Sequence, residues 1–406
     1  MQRIDYWVGI PLCIACSFVQ RVASLCKRRR VAANPPRKVL YIELSEMGSA
    51  ILAHPTLRRT AEVFPGAETH FLIFRRNAES VEILELLKPE SIHVIDDRNL
   101  VRFVFSSLRT LVKLRRLRFD TLIDLELFSR CTALMSFFIT APVRVGFHKY
   151  TEEGLYRGSF LTHRVAYNPH FHISRNFAAL LEAASQSPTE EPLLKAPIPA
   201  GSELPRLNVE AERGRAQQSL RALCPFFGSH HRIVLLNPDP GLLALRGWPV
   251  ESYRLLTQRL LDLDPSIIVG IIGLKRSAHF HSAIAAGASE PSRIINLCGV
   301  TSSMRELLGV FSLSSVLVSN DSGPGHFAPL VGLPSVILFG PESPHRYAPL
   351  GPECTTLFAN YACSPCFSAQ NHRQSVCTNN RCLQAISVED VFTATVRALG
   401  SQRVMN

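Results

Sequence analysis

The sequence lacks a long apolar run. Its most apolar N-terminal stretch, Trp7-Val-Gly-Ile-Pro-Leu-Cys-Ile-Ala-Cys-Ser-Phe-Val19, holds about thirteen apolar or small residues, fewer than the ~20 of a bilayer-spanning helix. A cleaved secretory signal would place its basic residues ahead of that stretch; here the cluster Lys27-Arg-Arg-Arg30 follows it. The body also lacks a charge excess. Of the net +11, residues 1–38 supply seven, with eight basic side chains against Asp5 alone; the other 368 residues carry only four. A nucleic-acid binder more often shows a basic face within its folded domains, so nucleic acid is not an expected partner. Tyr6, Trp7 and the basic cluster fit a helix lying on the cytoplasmic face of a membrane, held by apolar burial and anionic lipid. A helix packed on the protein, followed by a solvated charge run, would use the same residues. So would a short span reaching Leu25 with the basic run held inside.

What is present is alternation. A length of 406 residues suits two or three domains. Apolar runs at 38–44, 69–74, 92–95, 121–125 and 143–146 read as strands. Between them, 50–64, 81–87, 100–118 and 130–139 have helical period, the third basic and amphipathic, and 177–184 closes the first half. Residues 185–206 are rich in Pro, Ser and Glu and lack apolar period, and 207–221 is a helix or strand leading onward. The pattern then restarts, with strands at 232–237, 266–272 and 294–298 and helices at 250–263 and 303–311. Such alternation predicts an α/β protein with parallel sheets wrapped by helices. The expected division is an N-terminal segment 1–36, a first domain 37–185, a linker 186–228 and a second domain 229–395. A cleft between the two sets of strand ends would hold two substrates.

The most informative stretch is Val318-Ser-Asn-Asp-Ser-Gly-Pro-Gly-His-Phe-Ala-Pro-Leu-Val-Gly-Leu-Pro-Ser-Val-Ile-Leu-Phe-Gly340. It reads as a strand over 315–318, a tight turn, a short helix over 326–331 ended by Gly332 and Pro334, and a strand over 335–339. In an open parallel sheet, ligands sit beyond the carboxyl ends of the strands. Small residues there free backbone N–H groups and a helix N-terminus for phosphate. Ser322, Gly323 and Gly325 form the candidate cradle, and Asp321 could bind sugar hydroxyls. An ordinary strand–helix turn would look the same.

Several motifs coincide with this stretch. Val39 to Leu57 forms a strand, a glycine turn and a helix. Asn237-Pro precedes Arg246-Gly-Trp-Pro249, and Asn320-Asp-Ser-Gly-Pro-Gly-His-Phe-Ala328 is followed by Leu338-Phe-Gly-Pro341 and Cys363-Ser-Pro-Cys366. Together they resemble the lipopolysaccharide heptosyltransferases, glycosyltransferase family 9, over most of residues 37–395. The resemblance implies a GT-B fold: two Rossmann-like domains facing each other across a cleft, with acceptor at the first and nucleotide-sugar donor at the second. It implies inverting transfer without a catalytic cofactor, and ADP-heptose as donor. By the same resemblance Asn237, Arg246, Asp321, Ser322, Gly323, Gly325 and His326 fall at the donor, with Arg246 on the diphosphate.

Two departures from the family pattern bear on mechanism. Family members usually carry Asp directly after the turn glycine, whereas Ser49 follows Gly48. The attacking hydroxyl still needs a carboxylate, and Glu46, two residues before the glycine, is the candidate general base; Glu43 ends the strand. A transferase fold that binds nucleotide sugar or glycolipid without turnover is the alternative that Ser49 keeps open, and a nucleotide-sugar epimerase is a third. Secondly, Gly273-Leu-Lys-Arg-Ser277 offers the donor ribose no acid, only Lys275 and Arg276.

Four of eleven cysteines cluster as Cys363-x2-Cys366-x10-Cys377-x4-Cys382. Such spacing suits a structural four-thiolate zinc or iron site in a segment with few apolar residues; disulfides or free thiols are the alternatives. Arg144, His148, Lys149 and Arg157 suggest a basic loop for an anionic glycolipid or glycan acceptor. The expected location is cytoplasmic, peripheral on the inner face of the cell membrane.

Overall fold

Apolar strands and amphipathic helices alternate to build two all-parallel sheets. The computed structural model describes residues 2–26, 35–198, 201 and 204–401, in two units, Met1–Ser202 and Glu203–Asn406. The first holds α1 (Gln2–Trp7), α2 (Gly9–Cys26), β1 (Lys38–Ile42), α3 (Met47–Leu52), α4 (His54–Val63), β2 (Glu68–Phe74), α5 (Glu79–Glu82), β3 (Ile92–Ile95), α6 (Leu100–Leu117), β4 (Thr121–Asp124), α7 (Arg130–Ile139), β5 (Val143–His148), β6 (His163–Ala166) and α8 (Ile173–Ala184). The second begins with α9 (Glu210–Leu223), β7 (Arg232–Asn237), α10 (Val250–Leu263), β8 (Ile267–Ile271), α11 (Ala278–Ala285), β9 (Ile294–Asn296) and α12 (Met304–Ser312). It continues with β10 (Val316–Asn320), α13 (Gly323–Phe327), β11 (Ser335–Phe339), α14 (Pro344–Tyr347), β12 (Cys354–Phe358), α15 (Arg381–Gln384) and α16 (Val388–Ser401).

The sheet orders are β3-β2-β1-β4-β5-β6 and β12-β11-β10-β7-β8-β9. Strand order reverses between β1 and β4 and again between β7 and β10, the switch points where open α/β sheets take ligands. Central strands are covered on both faces, so β10 and β11 are buried along their whole length and read as mostly apolar runs, β10 ending in the buried polar pair Ser319-Asn320. The two strands absent from the sequence reading, β6 and β12, are both sheet edges. β6 is His163-Arg-Val-Ala166, with one large apolar side chain and only a single bridge, Val165 to Leu193, beyond β5, and β12 is nowhere fully buried, so neither leaves an apolar run to recognise.

Residues 207–221 resolve as the helix α9, which belongs to the second unit and packs on α12. Gly309 of α12 lies so close that a Cβ there would stand 2.6 Å from the Glu212 carbonyl oxygen. After β10 the expected helix starts earlier, as α13, and continues as a 3-10 turn over Ala328–Val331. Gly332, at φ 72°, ends it in the left-handed conformation that favours glycine.

The N-terminal helix packs on the protein along one face. Asp5, the only acid among the first 38 residues, caps α7: its Oδ1 accepts from the Arg130 and Cys131 amides at 3.2 and 3.0 Å, and its Oδ2 pairs with Arg130 at 3.1 Å. One face of α2 packs Cys13 and Cys16 against Ala133 and Phe160. The other face is exposed, with Phe18 at 69% and, just before the helix, Trp7 at 74%. The helical stretch Asp5–Ala23 is long and apolar enough to cross a membrane by length and composition, which the count of thirteen residues did not reach because the helix continues through Gln20 and Ala23. The basic cluster Lys27-Arg-Arg-Arg30 lies outside the described residues.

Candidate active site

The second unit gathers most of the expected donor residues at the carboxyl ends of β7, β10 and β11. Asn237 ends β7, and its amide donates to Ser319 Oγ at 2.9 Å and Ser322 Oγ at 2.8 Å. Asn320 ends β10; its side-chain oxygen accepts from the Trp248 amide at 2.9 Å and its nitrogen donates to the Pro238 carbonyl at 2.9 Å. The two asparagines therefore lock the turns after adjacent strands to each other. Asn237 is buried, as are Asp321 and His326, and its side chain holds the turn after β10 in place.

Arg246 leaves a short 3-10 turn after β7. Its Nε stands 3.3 Å from Asp321 Oδ2 and its Nη2 4.0 Å from Glu342 Oε2. Glu342 follows Gly340-Pro341 beyond β11 and also pairs with Arg346 at 3.1 Å and Arg373 at 3.7 Å. Three guanidiniums thus surround two carboxylates, an arrangement that can accept an anion. Burial raises the Asp321 carboxyl above the ordinary range, with Arg246 opposing it. Burial likewise pushes Glu342 up to about 7, against Arg346. Asp321 Oδ2, Glu342 Oε2 and Arg246 Nε are buried without an aligned hydrogen-bond partner, so the cluster keeps capacity for a ligand.

The expected phosphate cradle is narrower than the sequence suggests. Pro324 has no N–H, and the Gly325 amide is already spent on the Ser322 carbonyl at 3.2 Å. The Ser322 hydroxyl turns toward Asn237 and Asn320 instead of capping α13. Gly325 is there for packing: a Cβ would meet Ile337 Cδ1 at 2.9 Å, whereas at Gly323 the nearest atom is 3.6 Å away. His326 is buried on α13.

The four-cysteine segment underlies this site. Phe367 lies beneath the Arg246 guanidinium, 5.8 Å from it to the ring centroid. Asn380 donates to the Leu245 and Gly247 carbonyls at 3.0 and 2.7 Å, and the Phe367 amide to the Pro341 carbonyl at 2.7 Å. The four thiols of the expected cluster differ in their surroundings. Cys363 is exposed, Cys382 buried, and Cys377 donates its thiol to the Asn379 carbonyl at 3.1 Å. Among the described residues no group of three or more His, Cys, Asp or Glu is gathered to hold a metal. Short polar bonds along the segment shape it.

In the first unit the carboxylates collect at the switch between β1 and β4. Glu46 precedes α3 and is half-buried, accepting from the Ser49 hydroxyl at 3.0 Å. Ser49 thus orients the candidate base. Glu126 was not anticipated. Its Oε1 accepts from the Leu44 and Ser45 amides, each at 2.9 Å, and from the Ser45 hydroxyl at 2.6 Å, and so shapes the turn. Asp124, at the end of β4, is fully buried and paired with Arg157. Burial raises it to about 6 against the pull of that guanidinium.

The expected basic acceptor loop does not form. Arg157 is consumed by Asp124, and Arg144 donates to the Phe160 and Ala141 carbonyls at 2.7 and 2.6 Å. Burial lowers His148 to about 4, so it is neutral at pH 7. Of the four, Lys149 alone keeps a cation outside the interior, bonded at 3.3 Å to the Glu152 carbonyl. In the second unit Lys275 and Arg276 are both exposed.

Known proteins share this architecture. The family model for glycosyltransferase family 9 (heptosyltransferase) matches residues 108–377. The lipopolysaccharide core heptosyltransferase OpsX of Haemophilus influenzae is 21% identical over 317 residues, covering 77% of this chain and 82% of that protein. Lipooligosaccharide heptosyltransferase 2 of the same organism is 29% identical over 112 residues, 27% of this chain and about a third (32%) of the relative. Among solved structures, E. coli ADP-heptose lipopolysaccharide heptosyltransferase II superposes with a TM-score of 0.67 at 18% identity, covering 90% of this chain and 99% of the other. The GT-B architecture expected from the sequence is the fold of that enzyme. The chain therefore belongs to glycosyltransferase family 9 and is a glycosyltransferase.

Proposed function

We propose that the protein moves heptose from ADP-heptose to a lipopolysaccharide or other cell-surface glycan acceptor, with inversion at the anomeric carbon. The observation that carries the donor half is the cluster of Arg246, Arg346 and Arg373 around Asp321 and Glu342 at the ends of β10 and β11. A departing nucleoside diphosphate needs fixed positive charge and N–H dipoles, and Arg246 with the Gly323 amide supplies both. Asp321 would bind sugar hydroxyls, with His326 beside it on α13. ADP-heptose rests on the likeness to the E. coli heptosyltransferase.

In the reaction the acceptor hydroxyl attacks the anomeric carbon and the bond from that carbon to the diphosphate oxygen breaks. Glu46 takes the hydroxyl proton, and ADP leaves toward Arg246. Glu46→Gln should lower kcat by about 10²- to 10⁴-fold under saturating substrates; unchanged turnover would remove it from the mechanism. Thermal melts with ADP-heptose, ADP and uridine or guanosine sugar nucleotides test the donor, since a ligand stabilises by mass action. The expected shift is largest with ADP-heptose, and no shift with any of them would sink the reading.

The second reading, a nucleotide-sugar or glycolipid binder without turnover, is favoured by Ser49 at the position of the family's acid. Binding of donor with no ADP released in the presence of acceptor would select it.

Two further elements belong to this proposal. One is cytoplasmic placement on the inner face of the membrane, supported by the apolar outer face of α2. The other is a structural zinc or iron at Cys363, Cys366, Cys377 and Cys382, supported by the electrostatic influence of Cys363 and Cys366 on Cys382. It requires Cys377 to turn away from Asn379. Metal analysis of the wild type against a Cys363→Ser/Cys366→Ser variant decides this; equal, negligible metal in both eliminates the site.

A further inference from the structure

Helix α6 carries more apolar surface than its packing uses. Phe103, Leu111, Leu114 and Leu117 point into the core of the first unit, as one face of a surface helix should. A second stripe, Leu100, Val101, Val104, Phe105, Leu108 and Val112, is left exposed, each side chain between 45% and 71%. At 3.6 residues per turn these six share an arc of about 140°. Arg102, Arg109, Lys113 and Arg116 run along one border of that arc, Arg115 lies within it, and the helix contains no acid. Contiguous exposed apolar surface of this size marks a site of interaction.

The neighbouring helices extend the patch. α7 packs on α6 through Met135 and Ile139 and on α2 through Ala133, Leu134 and Phe137. It exposes Phe138 at 46%. On its other side α2 presents the exposed apolar face already described, on a helix whose length and composition suit a membrane.

We propose that the outer face of α6 is a second membrane-docking element, lying flat in the surface of an anionic phospholipid bilayer beside α2. Charge selects this occupant. A two-fold contact with a second copy would bring α6 against α6 and place Arg109 and Lys113 near their own counterparts, with no acid on the helix to offset them. Anionic headgroups complement the basic border while the six apolar side chains enter the acyl boundary. The inference deepens the membrane-surface reading but is measured without turnover, so failure of the transferase reading leaves it standing.

The test uses the full chain carrying Phe105→Trp, with Leu263→Trp on the exposed end of α10 as control and the wild type as the background from Trp7 and Trp248. On vesicles of phosphatidylglycerol and brominated phosphatidylcholine, the fluorescence of the indole added at position 105 shifts to the blue and is quenched; that of the control does neither. Arg109→Gln/Lys113→Gln weakens partitioning onto phosphatidylglycerol vesicles about tenfold and flattens its salt dependence. Vesicle-bound protein with no quenching at position 105 would overturn the proposal, because α2 alone would then hold the membrane. So would a Phe105→Ser variant that dissociates an oligomer in sedimentation while leaving vesicle partitioning unchanged, which would assign the face to a second copy.

Discussion

The two units bury charge at equivalent switch points in different ways. In the first, Asp124 faces one guanidinium, Arg157, and both its oxygens are engaged, the second by the Glu126 amide at 3.2 Å. In the second, Asp321 and Glu342 face three arginines, and one oxygen of each acid has no aligned partner. A closed one-to-one pair fastens β4 to the loop that carries Arg157. The open cluster leaves two acceptors, Asp321 Oδ2 and Glu342 Oε2, and one donor, Arg246 Nε, without an aligned hydrogen bond. Equal burial therefore does not imply equal satisfaction: the first pair is closed, while the second cluster keeps polar atoms with unused hydrogen-bonding capacity.

The strongest way to break the comparison is to remove each cation in turn. Arg157→Ala should cost about 3–5 kcal/mol in urea unfolding, because it strands a buried carboxylate. Arg246→Ala should cost less, about 1 kcal/mol, since Arg346 and Arg373 remain beside Glu342. Similar losses in both would erase the distinction. In turnover the ranking inverts. Arg246→Ala should lower kcat/KM by about 10²- to 10³-fold, the usual effect of losing one donor to developing negative charge, while folded Arg157→Ala keeps its rate.

A smaller effect separates the glycines of the cradle. Gly325→Ala should destabilise by about 1–3 kcal/mol, since Ile337 must move, whereas Gly323→Ala should leave the unfolding midpoint unchanged and weaken nucleotide binding. The smallest effect is in pH. Folded Glu342 binds its proton up to about 7, against an ordinary 4.5. Between those values the folded state holds more proton than the unfolded one, so this group's contribution to stability falls as pH rises. Glu342→Gln lacks that fall, and its melting temperature should gain on the wild type between about pH 4.5 and 7. A constant offset across that range would show that Glu342 titrates normally.

How far the sequence could be read follows the same physics. Strands covered on both faces, such as β1, β7, β10 and β11, write mostly apolar runs, and all four were legible. β6 and β12 carry few buried apolar residues and were not, whereas the edges β3 and β9, richer in isoleucine and valine, were. Arg246 and Asp321 stood out because each lies in a recognisable turn motif. Glu342 carried a signal that could have been used, an acid directly beyond a strand on the ligand side of the sheet. Arg373 had none, being about thirty residues farther along in a loop with no apolar pattern. Arg144 and Arg157 misled for the opposite reason: a basic loop in sequence turned out to be two arginines facing inward.

Order of strands and helices, the family, and the turns that flank the switch points were settled by the chain itself, because burying both faces of a parallel sheet imposes a local pattern that neighbouring residues must obey. Which charges meet, which amide of the cradle stays free, and which faces of α2 and α6 remain open were settled only by folding. Those outcomes depend on partners far apart in the chain, and no short window of residues encodes the distance between them.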